Sequence, residues 1–139
     1  MVPITMSGRG RRKNRPVRNS LSPALQDHIE VVEAGYEYML AYAAQGKETD
    51  LSPDGAPGEV RQTLQGLDVA MQQIALLLAS LDMEFAAVIT DDIRKARAAV
   101  TLVLAQSAIS SELIDNLNAS IHLRAVLTDL FLLDEVQTI

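Results

Sequence analysis

Apolar residues between positions 59 and 81 recur at alternating spacings of four and three. This is the heptad period of a helix that packs lengthwise against other helices. From Ile74 onward apolar residues occupy nearly every side of that helix, which predicts that its C-terminal half is buried all round. The stripe predicts a helix seam and a candidate interface made of Leu64, Leu67, Met71, Ile74, Leu78 and Leu81.

A second heptad stripe precedes the first and predicts another helix. It begins after Ser22-Pro23, where serine is a favoured N-cap and proline is tolerated at the first helical position. Gly46 is expected to end this helix in a left-handed conformation. Residues 47–58 are rich in Pro, Gly, Asp and Ser, which predicts a loop. The stripe itself consists of Leu25, Ile29, Val32, Tyr36, Met39 and Ala43.

The chain after Gly58 contains no proline, and after Gly66 it contains no glycine. One helix over this whole stretch would be about 120 Å long, so we expect breaks at capping residues. The candidate breaks are 80–82, 90–92 and 110–112, and they favour a third helix from about Asp82 to Ser107 and a fourth from Ser110 to Glu135. The sequence therefore predicts an all-α domain over residues 21–139, a bundle of about four helices.

The amino-acid composition supports a helical core and excludes several kinds of site and location. Apolar residues make up 48% of the 139 residues but aromatic residues only 4%, which is typical of a bundle packed from aliphatic side chains. The absence of cysteine excludes disulfides and thiolate metal sites. No apolar run approaches the ~20 residues that span a bilayer, and no apolar segment follows the N-terminal basic residues as in a signal peptide. We therefore expect a cytoplasmic protein without a membrane partner.

Charge is divided unevenly along the chain, although the net charge is only −6. Residues 1–19 carry six cations and no acid, whereas residues 20–139 carry a net charge of −12. Like charges without apolar periodicity predict that residues 1–20 form a disordered basic arm. Arginine-rich segments bind phosphate or carboxylate groups, so the candidate binding residues of this arm are Arg9, Arg11, Arg12, Lys13, Arg15 and Arg18.

The two histidines do not fit a known catalytic or metal-binding pattern of helical bundles. A di-iron bundle requires Glu-x-x-His, but Leu25 and Ala119 stand three residues before His28 and His122. The residues after each histidine also match a histidine phosphotransfer domain poorly. Asp91 and Lys95 have the spacing of an ordinary helical ion pair. We predict no catalytic residue, no metal site and no cofactor.

Three interpretations of function remain open. The first is a non-enzymatic assembly or adaptor protein that associates with itself or docks into a larger protein complex, with the arm as a tether, because the apolar surface exceeds what four short helices need. The second is a nucleic-acid-associated protein that binds phosphates through the arm. The third is an acidic secretion or assembly chaperone that binds a partner's amphipathic helix.

Overall fold

Five helices make up the regular structure of residues 21–136, which is the part of the chain that this computed structural model describes. No strand occurs in that part, so the all-α prediction is confirmed, with five helices in place of about four. The predicted arm, residues 1–20, lies outside the described residues. The helices are α1 (Pro23–Ala43), α2 (Glu59–Leu78), α3 (Glu84–Leu104), α4 (Ser111–Ala119) and α5 (Ile121–Val136).

The first helix begins at the residues that the sequence indicated and ends at Ala43, three residues before the predicted stop at Gly46. The Ser22 hydroxyl accepts a hydrogen bond from the Leu25 N–H at 3.2 Å, and Pro23 occupies the first turn. After the last turn Gly46 takes a φ of +67°, a left-handed conformation that a residue with a Cβ adopts only under strain. Both signals are residues at or near the ends of the helix, so they could be recognised in the sequence.

The predicted fourth helix is wrong, because two helices occupy its range. Ser120 separates α4 from α5 with an extended ψ of 141°. Its hydroxyl accepts a hydrogen bond from the Leu123 N–H at 3.4 Å, so Ser120 acts as a capping residue for α5. The predicted third helix is also shorter than expected, and residues 90–92 lie inside α3 instead of breaking it.

The helices form a bundle in which α1 packs against α2 and α4, whereas α3 packs against α2 and α5. The pair α4 and α5 therefore takes the place of the single fourth helix, α4 covering α1 and α5 covering α3. Within the described residues, no Cα atom of α2 lies within 8 Å of a Cα atom of α4 or α5. The backbones of only two helices, α1 and α3, therefore pack directly against α2.

The predicted α2 seam forms the centre of the hydrophobic core. Its members inside the helix, Leu64, Leu67, Met71, Ile74 and Leu78, are fully buried. Leu81 lies beyond the end of α2, which stops at Leu78, and it is half-buried. On α1 the seam is buried except at Tyr36 and Ala43, which are partly buried. Tyr42, off the α1 seam, is buried as well.

The predicted burial of α2 on all sides after Ile74 is wrong. Leu76 is 61% exposed and Leu77 is 36% exposed. The physical reason is the number of neighbours, since α1 and α3 cover two sides of α2 and leave the third side uncovered. None of the helices in the described part is long and apolar enough to cross a bilayer.

Candidate protein-interaction site

The uncovered side of α2 presents a surface with no charged side chain. Between Arg61 and the end of α2 at Leu78, every exposed residue is a glutamine, a glycine or an aliphatic residue. These residues recur at helical spacing opposite the buried seam, so they share one side of the helix. We call this surface the α2 outer face; it consists of Gln62, Gln65, Gly66, Val69, Gln72, Leu76 and Leu77.

Charged residues beside the α2 outer face are paired within the chain. Asp68 accepts hydrogen bonds from Arg97 of α3 at 2.8 Å and 3.3 Å. The hydrogen bond to Asp68 raises the pKa of Arg97 above its usual value, and burial opposes that effect only in part. Arg61 donates instead to the carbonyl oxygens of Leu104, the last residue of α3, and of Gln106 beyond it. Asp68 and Arg61 are thus already neutralised within the chain, whereas Glu59 lies exposed at the start of α2, where the face begins.

The other described helices all carry charge on their exposed sides. The exposed surface of α3 bears Asp91, which forms ion pairs with Arg94 at 3.0 Å and Lys95 at 3.3 Å. The ion pair between Asp91 and Lys95 is the one that the sequence predicted. The exposed charges of α1, α4 and α5 are Asp27, Glu30, Glu37, Glu112, Asp115, Arg124 and Glu135. Among the described helices, α2 has the longest stretch without an exposed charged residue, from Val60 to Leu78, and the next longest is the ten-residue stretch of α5 between Arg124 and Glu135.

Buried polar groups tie the loops together at the end of the bundle where α1 ends and α2 begins. Asp50 accepts hydrogen bonds from Arg61 Nε at 2.7 Å and from the Ile109 N–H at 2.8 Å. Burial alone would raise the pKa of Asp50, but these hydrogen bonds and the positive charge of Arg61 hold it below its usual value. Arg61 also donates to the carbonyls of Leu104 and Gln106 at 3.1 Å and 2.7 Å. The ion pair therefore fixes three chain segments to one another.

Tyr42 and Ser111 extend these contacts to α1 and α4. The Tyr42 hydroxyl donates to the Ile109 carbonyl at 2.7 Å, and the Ser111 hydroxyl donates to the Tyr42 carbonyl at 2.7 Å. The Ser111 hydroxyl also accepts from the Lys47 N–H at 2.9 Å. Burial, followed by the negative charge of Asp50, raises the pKa of Tyr42. The buried hydroxyls in this region are thus engaged in holding the fold.

Two carboxyl groups meet where α3 packs on α5. Burial of Asp129, together with the neighbouring Asp92 carboxylate, raises the pKa of Asp129 to about 7. Its Oδ2 atom is buried and has no hydrogen-bond partner among the described residues. The nearby cations Arg94 and Lys95 are directed to Asp91 instead. A proton held between the two carboxyls relieves their mutual repulsion.

No group of three or more His, Asp or Glu side chains within residues 21–136 is arranged to hold a metal ion. His28 is half-buried on α1, and His122 is exposed on α5. An open cleft of about 520 Å³ lies between the end of α1 and the start of α4. Ser111 lines it, but its hydroxyl is already engaged by Tyr42 and Lys47.

The residues that the sequence predicted as both the α2 seam and a candidate interface do not form an exposed interface. The buried seam residues Leu64, Leu67, Met71, Ile74 and Leu78 face the chain's own helices, and Leu81 lies in the turn after α2. The α2 outer face is a different set, which sequence reasoning missed. Its signal was the absence of any acidic or basic residue from position 69 to position 81. The arm residues Arg9, Arg11, Arg12, Lys13, Arg15 and Arg18 lie outside the described residues.

Comparison of the chain with protein-family models, with curated proteins and with solved structures finds no match.

Proposed function

We propose that this chain is a non-enzymatic assembly or adaptor protein that binds protein surfaces through the α2 outer face. Its arginine-rich N-terminal arm acts as a tether to an acidic surface. The observation that carries the proposal is the exposure of Val69, Leu76 and Leu77 on one uncharged side of α2.

Single exposed apolar residues are normal on soluble proteins, so exposure alone would carry little weight. The α2 outer face differs because apolar residues and uncharged amides adjoin one another along the helix over about 22 Å. Depletion of charge at the centre, with charge restricted to the border, is typical of protein–protein interfaces. Asp68 and Arg97 supply such a border beside the face.

The arm supports the same function through its charge. Residues 1–19 carry six cations, whereas residues 20–139 carry a net charge of −12. A protein with a similarly acidic surface would attract the arm through these charges. Five of the six are arginines, whose planar guanidinium groups bind carboxylates through two parallel hydrogen bonds. A tether of this kind speeds association and strengthens binding at a second contact.

Purification of the tagged full chain, beside a variant that lacks residues 1–19, tests the proposal. We expect the full chain to retain a protein at fixed stoichiometry through gel filtration, and the truncated chain to bind that protein more weakly. The truncated chain should still fold, because the core begins at Leu21 and Leu25. A variant with all five arm arginines replaced by lysine keeps the charge, so weaker binding by that variant would identify bidentate contacts.

Nucleic acid in place of protein would refute the proposal in favour of a phosphate-binding function. In that case log affinity should fall with log salt at a slope of about −5 if all six arm cations neutralise phosphates. A protein that docks on the α2 outer face and is tethered by the arm should show a shallower dependence, because salt screens the contacts of the arm but not the apolar contacts.

A further inference from the structure

We infer that the α2 outer face is a homodimer interface in which the α2 helices of two copies cross near Val69. This inference rests on the proposed function and names its partner, a second copy of the chain. It is carried by the electrostatics of the described surface and by the symmetry of the residues on the face.

Net charge decides which surface two copies can share. Each body carries −12 over residues 20–139, so most contacts between identical copies would bring acids against acids. Like charges placed opposite each other across an interface cost several kcal/mol. The outer sides of α1 and α4 carry exposed acids and no exposed base. The α2 outer face avoids this repulsion because it has no charge to oppose.

The side chains of the α2 outer face can pair with the same side chains on a second copy of the chain. In a twofold contact each residue meets a residue of the same surface, so a useful side chain must pair with its own kind. A glutamine amide both donates and accepts, and three glutamines, Gln62, Gln65 and Gln72, are exposed on the face. The aliphatic groups of Val69 and Leu76 lie among them and supply apolar area.

The centre of the face permits a close approach. Val69 stands midway between Gln62 and Leu76, so a twofold axis near Val69 superposes the face on itself and buries most of it. Next to it on the helix surface is Gly66, and a Cβ built on Gly66 has no atom within 4 Å. The missing side chain leaves room for the partner's helix at that point. One helix crossing is smaller than a standard interface, so we expect dissociation in the micromolar range.

The absence of cysteine from the chain makes a cross-linking test direct. We expect V69C to form a disulfide-linked dimer under mild oxidation, because residues on a twofold axis bring their Cα atoms within disulfide range. The matched control is L102C on α3, where the native leucine is 66% exposed, more than Val69 at 53%. Cross-linking of L102C as readily as V69C would overturn the inference.

Sedimentation of the full chain at high salt across the micromolar range supplies a second test. The wild type should associate to a dimer. L76E places acids in the interface and should weaken dimerisation at least about tenfold, whereas L102E should not. Both positions are exposed in the monomer, so circular dichroism at a concentration that keeps every variant monomeric should show unchanged melting.

The outcomes separate the inference from the proposed function. A wild type that stays monomeric throughout, or an L76E variant that dimerises as tightly as the wild type, overturns the homodimer interface. Retention of a protein at fixed stoichiometry by a monomeric wild type would still support the adaptor function, whereas loss of every protein partner would refute that function. A dimer that L76E dissociates, together with V69C cross-linking, supports the interface.

Discussion

Replacement of Asp129 by asparagine should change how the stability of the protein depends on pH. Asp129 lies on α5 next to Asp92 of α3, and burial followed by that neighbouring carboxylate raises the pKa of Asp129 to about 7. An unfolded aspartate titrates near pH 4. Asparagine keeps the shape of the side chain but cannot ionise, so it removes this titration while disturbing the packing little.

The sign and the size of the effect follow from linkage. Because the folded pKa is raised, the folded chain binds a proton between about pH 4 and pH 7 that the unfolded chain has released. The free energy of unfolding therefore decreases as pH rises through this window and levels off above it. A difference of about three pKa units corresponds to at most about 4 kcal/mol. Partial exposure of Asp129 reduces this, and we expect roughly 2 kcal/mol.

Urea unfolding followed by circular dichroism at a series of pH values measures the effect. The D129N variant and the wild type should have similar stabilities near pH 4, and the variant should be the more stable one near pH 8. The control is D91N, on the exposed side of α3, where Arg94 and then Lys95 lower the pKa of Asp91. Removal of that carboxylate should bring no gain at high pH. A D129N variant with the same pH dependence as the wild type would refute the reasoning.

Three further substitutions test the core and the buried polar groups by urea unfolding at neutral pH. Asp50→Ala should lower the free energy of unfolding by about 3 kcal/mol, because it leaves the Arg61 guanidinium and the Ile109 N–H without the carboxylate that they bind. A variant as stable as the wild type would mean that the Asp50–Arg61 ion pair does not stabilise the fold. Asn118→Leu should stabilise the protein by about 1 kcal/mol. Asn118 is buried, and neither its amide oxygen nor its amide nitrogen has a hydrogen-bond partner among the described residues. A destabilised variant would contradict this prediction. Leu67→Ala should cost about 2–5 kcal/mol, because Leu67 is fully buried. Val69→Ala, two residues along the same helix but exposed, should change stability by less than about 0.5 kcal/mol, and equal costs would mean that Leu67 is not in the core.

The helices with two clear ends could be predicted from the sequence because their signals are local. Ser22-Pro23 and Gly46 bracket α1, and the heptad stripe places Leu67 on the buried side of α2. The division between α4 and α5 could not be predicted in this way. Ser120 stands inside a continuous apolar pattern, and only the extended backbone and its hydrogen bond to the Leu123 N–H distinguish it from a serine within a helix.

The buried polar contacts at the end of the bundle could not be predicted because their partners are far apart in sequence. Tyr42 and Ile109 are 67 residues apart, and Arg61 and Leu104 are 43 apart. Within a loop, Asp50 has the composition expected of a turn, so nothing local distinguishes it from an exposed residue. Its burial depends on how the ends of α1, α2 and α3 converge, which the pattern along each separate helix does not specify.

The α2 outer face shows why an apolar pattern alone cannot decide what buries a helix. Apolar residues on every side of α2 after Ile74 indicate that all of its sides avoid water, but they do not indicate how many neighbours belong to the same chain. Two helices of the chain cover α2, and Leu76 remains 61% exposed. Charge then supplies the missing information: a body of net charge −12 meets its own copy at least cost where acids are absent. The pattern that specifies the fold on one side of α2 therefore leaves the other side open, and this is the side through which we propose that the protein assembles.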